Sequence, residues 1–363
     1  MTALANEHKA INLSQGFPDF PVDAELISLV NKAMQEGYNQ YAPMPGLLGL
    51  KEGISNSILQ TYNKIINAES EITVTSGATE ALFAAISVVI NHGDEVIMFD
   101  PAYDSYEPAV ILNNGIPVRI PLTFPDFRIN WDEVKNAVNK KTKLIILNSP
   151  NNPAGTIISE DDIKELKEIV SKNNLYVLSD EVYEHIVFDG KKHCSLISDD
   201  DLFQKTFIVS SFGKTFHITG WKVGYCTAPE KLTKEFRKIH QFLTFSTSTP
   251  FQYALSEYIA KPGVIPGLKN FYREKRDFFL KLISNTKFKP LKCEGTYFQL
   301  LDYSDISDEN DFDFVVRLTK ESKVATIPIS SFYENKTDNK VIRICFAKEN
   351  ETLIKAVEKL KML

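Results

Sequence analysis

The chain is expected to fold as an α/β protein, with a large domain around a mostly parallel central sheet and a smaller α+β domain. Three observations carry this. Short β-rich runs alternate with helical patterns from about residue 71 to residue 225, as crossover units of a parallel sheet do. Its 363 residues exceed the size at which one hydrophobic core usually stops growing. Beyond about residue 250 the pattern changes to a long helical stretch, then strands, then a last helix.

In chain order, the β-rich runs 72–75, 95–99, 144–147, 175–179, 206–209 and 223–227 read as strands. Helices are expected over 78–90 and 159–172, the second with Ser159 as N-cap and an acidic first turn. Residues 250–284 read as one long helix that joins the domains. Strands follow at 295–301, 324–327 and 340–345, and a helix over 350–361 closes the chain. The expected division is 22–262 for the large domain, with 1–21 and 263–363 forming the small one.

Composition narrows the partners. Hydrophobic residues make up 43% and charged residues 24%, and the formal charge is −6 with no basic cluster, which argues against nucleic acid and anionic membranes. Cys194, Cys226, Cys293 and Cys345 are far apart and form no metal-ligand spacing, so neither a disulfide framework nor a zinc site is expected. A reducing cytoplasm fits this pattern. No apolar run is long enough to span a bilayer, and no signal-like start is evident.

The chemistry concentrates in loops after predicted strands, where open parallel sheets bind ligands. Ser211-Phe212-Gly213-Lys214 places a lysine three residues after a serine, with Lys222 eight residues on beside small residues. That pattern suits an aldehyde cofactor held covalently and anchored by its phosphate, pyridoxal phosphate (PLP). A lysine is ordinarily a solvated surface charge; here it follows an apolar strand and precedes Thr219-Gly220-Trp221. Gly77-Ala78-Thr79 opens a helix whose free N–H groups can hold a phosphate, although a glycine turn is also ordinary punctuation. Asn152, before Pro153, is either a turn residue or a rigid donor. Asp180 is either a cap or a carboxylate able to keep a pyridine nitrogen protonated.

Taken together, in order and along the whole chain, these motifs resemble the class I PLP-dependent aminotransferases of fold type I. The segments 11–20 (Ile-Asn-Leu-Ser-Gln-Gly-Phe-Pro-Asp-Phe), 39–43, 211–225 and 341–348 resemble the kynurenine-aminotransferase-like branch, nearest its bacterial methionine-handling members. The resemblance implies that Lys214 is the Schiff-base lysine and proton shuttle, and that Asp180 pairs with the ring nitrogen. It implies that Tyr183 and Asn152 bond the ring's phenolic oxygen and that Tyr103 stacks on the ring. Phosphate binding would fall to Gly77, Ala78, Thr79, Ser211 and Lys222; lysine at the last position, where much of the class has arginine, is a mark of the branch. Tyr41 would reach the neighbouring subunit's phosphate, which implies a homodimer with shared active sites. Arg343 and the Gly16 N–H would bind the substrate's α-carboxylate, although an arginine among apolar residues can also be an edge-strand charge. No metal is required.

Relatives that act on acidic amino acids draw a second arginine from the partner, in a region matching 242–249. This chain has Phe-Leu-Thr-Phe-Ser-Thr-Ser-Thr there, without a cation, so a side-chain carboxylate would be left unpaired. Amino donors are therefore expected to be methionine or other neutral or aromatic amino acids, with Phe17 and the partner subunit's Phe245 as pocket walls and a 2-oxo acid as acceptor. Ser246 stands where some kynurenine enzymes have histidine, which disfavours kynurenine. Only ten residues precede Ile11, where such enzymes carry a longer arm bearing a pocket aromatic, so the far wall is open at this stage. Three alternatives stand beside it: a PLP-dependent carbon–sulfur β-lyase on the same fold; a serine acyl-enzyme using the SxxK pattern, which lacks its companion motifs; and a ligand-sensing regulator, for which no basic DNA-binding segment is present.

Overall fold

The computed structural model describes residues 1–363, the side chain of Pro266 excepted. Strand β1 (Ile11–Asn12) stands outside the central sheet. That sheet comprises β2 (Ile72–Thr75), β3 (Glu95–Asp100), β4 (Ile116–Pro121), β5 (Thr142–Asn148), β6 (Tyr176–Asp180), β7 (Thr206–Ser211) and β8 (Gly224–Thr227), in the order β2-β8-β7-β6-β5-β3-β4. Strands β3 to β7 pair in parallel, and β8 runs antiparallel to both β2 and β7.

Both faces of the sheet are covered, which is why its strands read as unbroken apolar runs. Ile97, Ile145, Val177 and Ile208 join one core, while Val96, Leu144, Leu178 and Phe207 face another. Helix Gly77–Val89 follows β2, and helix Glu160–Asn173 starts from a capping box between Ser159 and Asp162.

The smaller unit contains β9 (Lys289–Pro290), β10 (Phe298–Asp302), β11 (Val324–Ala325), β12 (Ile327–Pro328) and β13 (Val341–Cys345). Four of these form an antiparallel sheet, β12-β13-β10-β9, and β11 pairs in parallel with β1. Helix Asn350–Leu360 packs Leu353, Val357 and Leu360 into the core of this unit.

Three elements depart from the sequence reading. Residues 250–284 are two helices, Thr249–Ile259 and Pro266–Ile283, not one connecting rod. The break falls at Lys261-Pro262-Gly263, where proline cannot continue the hydrogen-bond ladder and Gly263 turns at φ +83°. The run 324–327 is two short strands in different sheets. Strand β4 was not anticipated: it is an edge strand, carries Pro117, Arg119 and Pro121, and lacks the apolar continuity of its neighbours. No helix of the structure is long and apolar enough to cross a membrane.

Candidate active site

The strand register brings the predicted residues together. Asn148 pairs with Asp180 across β5 and β6, Asp180 with Val209 across β6 and β7, and Ser211 and Thr75 both with Gly224. The carboxyl ends of β2, β5, β6 and β7, with the amino end of the reversed β8, therefore form one rim. A cavity of about 140 Å³ opens on it, lined by Gly77, Ala78, Thr79, Tyr103, Asn152 and Asp180 and by Tyr183, Ser211, Lys214 and Lys222.

Lys214 rides on the one-turn helix Phe212–Thr215 that ends β7. Its Nζ donates to the Tyr297 hydroxyl at 3.1 Å and lies 3.4 Å from the Gly16 carbonyl. Enclosure pushes the amine down to about 8, and the nearby Arg343 and Lys222 charges act in the same direction. An amine lowered that far keeps a minor but usable neutral fraction near physiological pH, which a nucleophile or proton carrier needs.

Asp180 ends β6, is buried, and accepts a 2.6 Å hydrogen bond from the Tyr106 hydroxyl and a 3.3 Å bond from the Val182 N–H. Burial raises its carboxyl to about 6, against those hydrogen bonds. It remains ionised at neutral pH and faces the cavity. Tyr183, buried immediately after Val182, has its phenol held above the usual range by burial. Tyr103 meets Tyr106 edge to face at 5.6 Å.

The phosphate end passes a test of shape. Gly77 has φ +76°, and a Cβ on it would lie 3.2 Å from Lys222 Nζ. A Cβ on Gly224 would strike the Gly77–Ala78 peptide at 3.0 Å. The helix start, a lysine and the Ser211 hydroxyl therefore crowd one spot that only glycines leave open, a built anion cradle.

Arg343 lies on β13, an interior strand of the small sheet and not an edge strand, so the edge-charge alternative is excluded. Its Nη1 donates to Asn152 Oδ1 at 2.7 Å and its Nη2 to the Ser14 carbonyl at 3.0 Å, while Nε is buried without a partner. The guanidinium stacks 4.0 Å from the Phe298 ring centre. These partners are uncharged, so a buried cation awaits an anion. A cleft beside it is lined by Gly16, Asn152, Lys214 and Arg343 and walled by Met1, Phe312, Ile327 and Phe332.

Three predicted residues lie elsewhere. Phe17 is half exposed beside the cleft, its ring under Lys348 Nζ at 4.5 Å. Tyr41 is 83% exposed and meets Phe245 edge to face at 5.3 Å, outside the cavity around Lys214. Tyr106 and Tyr297 touch Asp180 and Lys214 but were not anticipated; nothing in their local sequence distinguishes them from core aromatics.

Residues 8–360 match the family model "Aminotransferase class I and II". The chain is 46% identical over 364 residues to methionine aminotransferase of Escherichia coli (strain K12), covering 100% of this chain and 94% of that protein. It is 34% identical to kynurenine–oxoglutarate transaminase of Dictyostelium discoideum, covering 99% and 92%. A solved Escherichia coli structure described as having a methionine aminotransferase function superposes with TM-score 0.98 at 46% identity, covering 100% of this chain and 95% of that one. N-succinyldiaminopimelate aminotransferase of Mycobacterium tuberculosis superposes with TM-score 0.96 at 34% identity, covering 100% and 95%. With the fold, the lysine-bearing rim and the full-length match in agreement, the chain belongs to the class I and II aminotransferases, which use PLP as cofactor.

Proposed function

We propose that this aminotransferase moves the amino group of methionine, or of another neutral or aromatic L-amino acid, to a 2-oxo acid. The observation that carries the proposal is Arg343: a buried cation whose hydrogen-bond partners are neutral, beside Lys214, in a cleft that also carries Asp104 and Ser331 but no second arginine for a side-chain carboxylate. Likeness to a methionine aminotransferase supports the choice of donor.

When bound, PLP supplies a reactive carbonyl and an electron-accepting ring. Gly77, Ala78, Thr79, Ser211 and Lys222 would hold its phosphate, Asp180 its ring nitrogen, and Tyr183 and Asn152 its phenolic oxygen, with Tyr103 against the ring face. Lys214 provides the amine that anchors it and carries a proton at Nζ to and from the substrate's α-carbon. Arg343 fixes the substrate carboxylate as a two-pronged donor, with the Gly16 N–H beside it. Asp180, ionised at neutral pH, keeps the ring nitrogen protonated. Phe17, at the edge of the cleft, would border the substrate side chain only once a substrate is bound.

We also propose a homodimer with shared sites. The exposed Tyr41 and Phe245, in contact with each other, and the 88% exposed Phe242 three residues before Phe245 are apolar surface that a second copy would cover. Each protomer would lend Tyr41 to the other's phosphate site and Phe245 to its pocket. Mixing the impaired Tyr41→Phe and inactive Lys214→Ala proteins should raise activity above that of either alone, through hybrids with one intact site; no gain would exclude sharing. Residues 22–262 would form the large domain, with 1–21 and 263–363 as the small one, and the four unpaired cysteines favour a cytoplasmic setting.

A panel of amino donors and 2-oxo acids on the PLP-loaded protein tests the substrate proposal. Methionine should be consumed only with an acceptor present. Acceptor-independent consumption, with pyruvate released from cystathionine, would identify a β-lyase instead.

A further inference from the structure

We propose that Tyr297 is a further catalytic residue, whose hydroxyl receives an N–H of Lys214 and turns the lysine's lone pair into the cavity. The proposal rests on Lys214 being the working amine.

Tyr297 is fully buried immediately before β10. Its ring is fixed by Phe298 at 4.9 Å, Tyr183 at 5.1 Å and Tyr272 at 5.8 Å between centres. The preceding Thr296 has φ +68°, a left-handed backbone that a β-branched residue adopts only under constraint. Two hydrogen bonds hold it there: Thr296 N–H to the Ile186 carbonyl at 3.0 Å, and Phe298 N–H to Thr296 Oγ1 at 3.1 Å. The strain and the packing both serve to aim one hydroxyl.

The direction of its proton follows from its partners. Tyr297 donates to the Gly16 carbonyl at 2.7 Å, and a phenol has one proton. Toward Lys214, at 3.1 Å, it can therefore only accept. The Gly16 carbonyl, 3.4 Å from Nζ, is a second and weaker acceptor. A neutral amine has two N–H groups and one lone pair. With both N–H groups committed to Tyr297 and Gly16, the lone pair is left on the cavity side, where an electrophile or an α-proton must be met. Gly16 reaches this spot because a Cβ on it would lie 2.5 Å from the Phe298 ring. The same two acceptors also serve the ammonium form, so they counter the enclosure that favours the neutral amine.

Tyr297→Phe removes the hydroxyl and keeps the ring. In the cofactor-free protein, competitive acetylation across pH, read by mass spectrometry at the Lys214 peptide, gives the amine's titration midpoint without any turnover. The midpoint should move down in the variant, because an acceptor that favours the ammonium is gone. In the loaded enzyme, kcat should fall by on the order of ten-fold with KM for the amino acid unchanged. An unchanged midpoint would overturn the proposal, whether kcat is also unchanged or falls together with melting temperature as a packing residue would cause. Borohydride reduction of the loaded protein keeps the underlying reading separate: label on Lys214 in both proteins upholds it, and label on another lysine removes that reading and this proposal together.

Discussion

Arg343 on the small sheet and Asn152 at the rim of the large sheet are joined by a 2.7 Å hydrogen bond from guanidinium to side-chain carbonyl. The bond ties the residue placed for the substrate's carboxylate to the loop placed for the ring's oxygen. Arg343→Ala should lower kcat/KM for amino acids about 100-fold, mainly through KM, as loss of a charged hydrogen-bonding partner does. Arg343→Lys should recover little, because a point charge cannot copy the fork that spans Asn152 and Ser14. Steady-state kinetics decide it, and an unchanged kcat/KM would remove Arg343 from carboxylate binding.

Gly77 should matter for cofactor retention more than for folding. Gly77→Ala places a methyl group 3.2 Å from Lys222 Nζ on a backbone at φ +76°. The methyl group crowds the lysine and the helix start that would hold the phosphate, so PLP binding should weaken roughly ten-fold, while the backbone strain lowers folding stability by about 1 to 2 kcal/mol with or without cofactor. Equilibrium dialysis should show that loss beside a fall of only a few degrees in the melting temperature of the cofactor-free protein. Undiminished affinity would place the phosphate elsewhere.

The Tyr106 hydroxyl stabilises ionised Asp180, opposing the burial that raises its carboxyl to about 6. Tyr106→Phe removes that bond, so the Asp180 pKa must rise further. The acidic limb of the kcat/KM profile should then move to higher pH, with several-fold loss near pH 6 and little near pH 8. The cation of a bound ring lowers the value in both proteins and leaves the sign of the difference unchanged. A limb that stays in place would show that this bond does not set the Asp180 charge.

The legible part of the site is the part built by strand ends. Ser211, Asp180, Asn152 and Gly77 each follow an apolar run, and a parallel sheet in register gathers such positions whatever lies between them. Tyr106 and Tyr297 were not legible, because their roles depend on partners 74 and 83 residues away and their neighbours look like ordinary core. The fold shows the same limit. Strand β7 reads directly from 206–209, whereas β4, on the sheet edge and bounded by prolines, does not. Helical periodicity ran on past Pro262 and Gly263, where the backbone turns.

His217 predicts how the cofactor-free protein responds to acid. Its Nδ1 meets the Tyr272 hydroxyl at 2.8 Å, Phe20 and Phe271 flank its ring, and Lys275 lies over both of those aromatics. Enclosure lowers the imidazole to about 4. The unfolded chain binds a proton near 6.5 that the folded chain refuses until about 4, so the contribution is complete above 6.5 and is lost as pH falls toward 4. Allowing for partial exposure, it amounts to about 2 kcal/mol. Urea unfolding at several pH values should give a flatter stability profile for His217→Asn across that window; parallel profiles would count against the assignment.

Reducing the PLP-loaded protein with borohydride and locating the fixed cofactor by mass spectrometry tests the central claim most directly. The account predicts a single modified residue, Lys214, and no fixed cofactor in Lys214→Ala. Cofactor fixed at a different lysine, or retained covalently in Lys214→Ala, would contradict it.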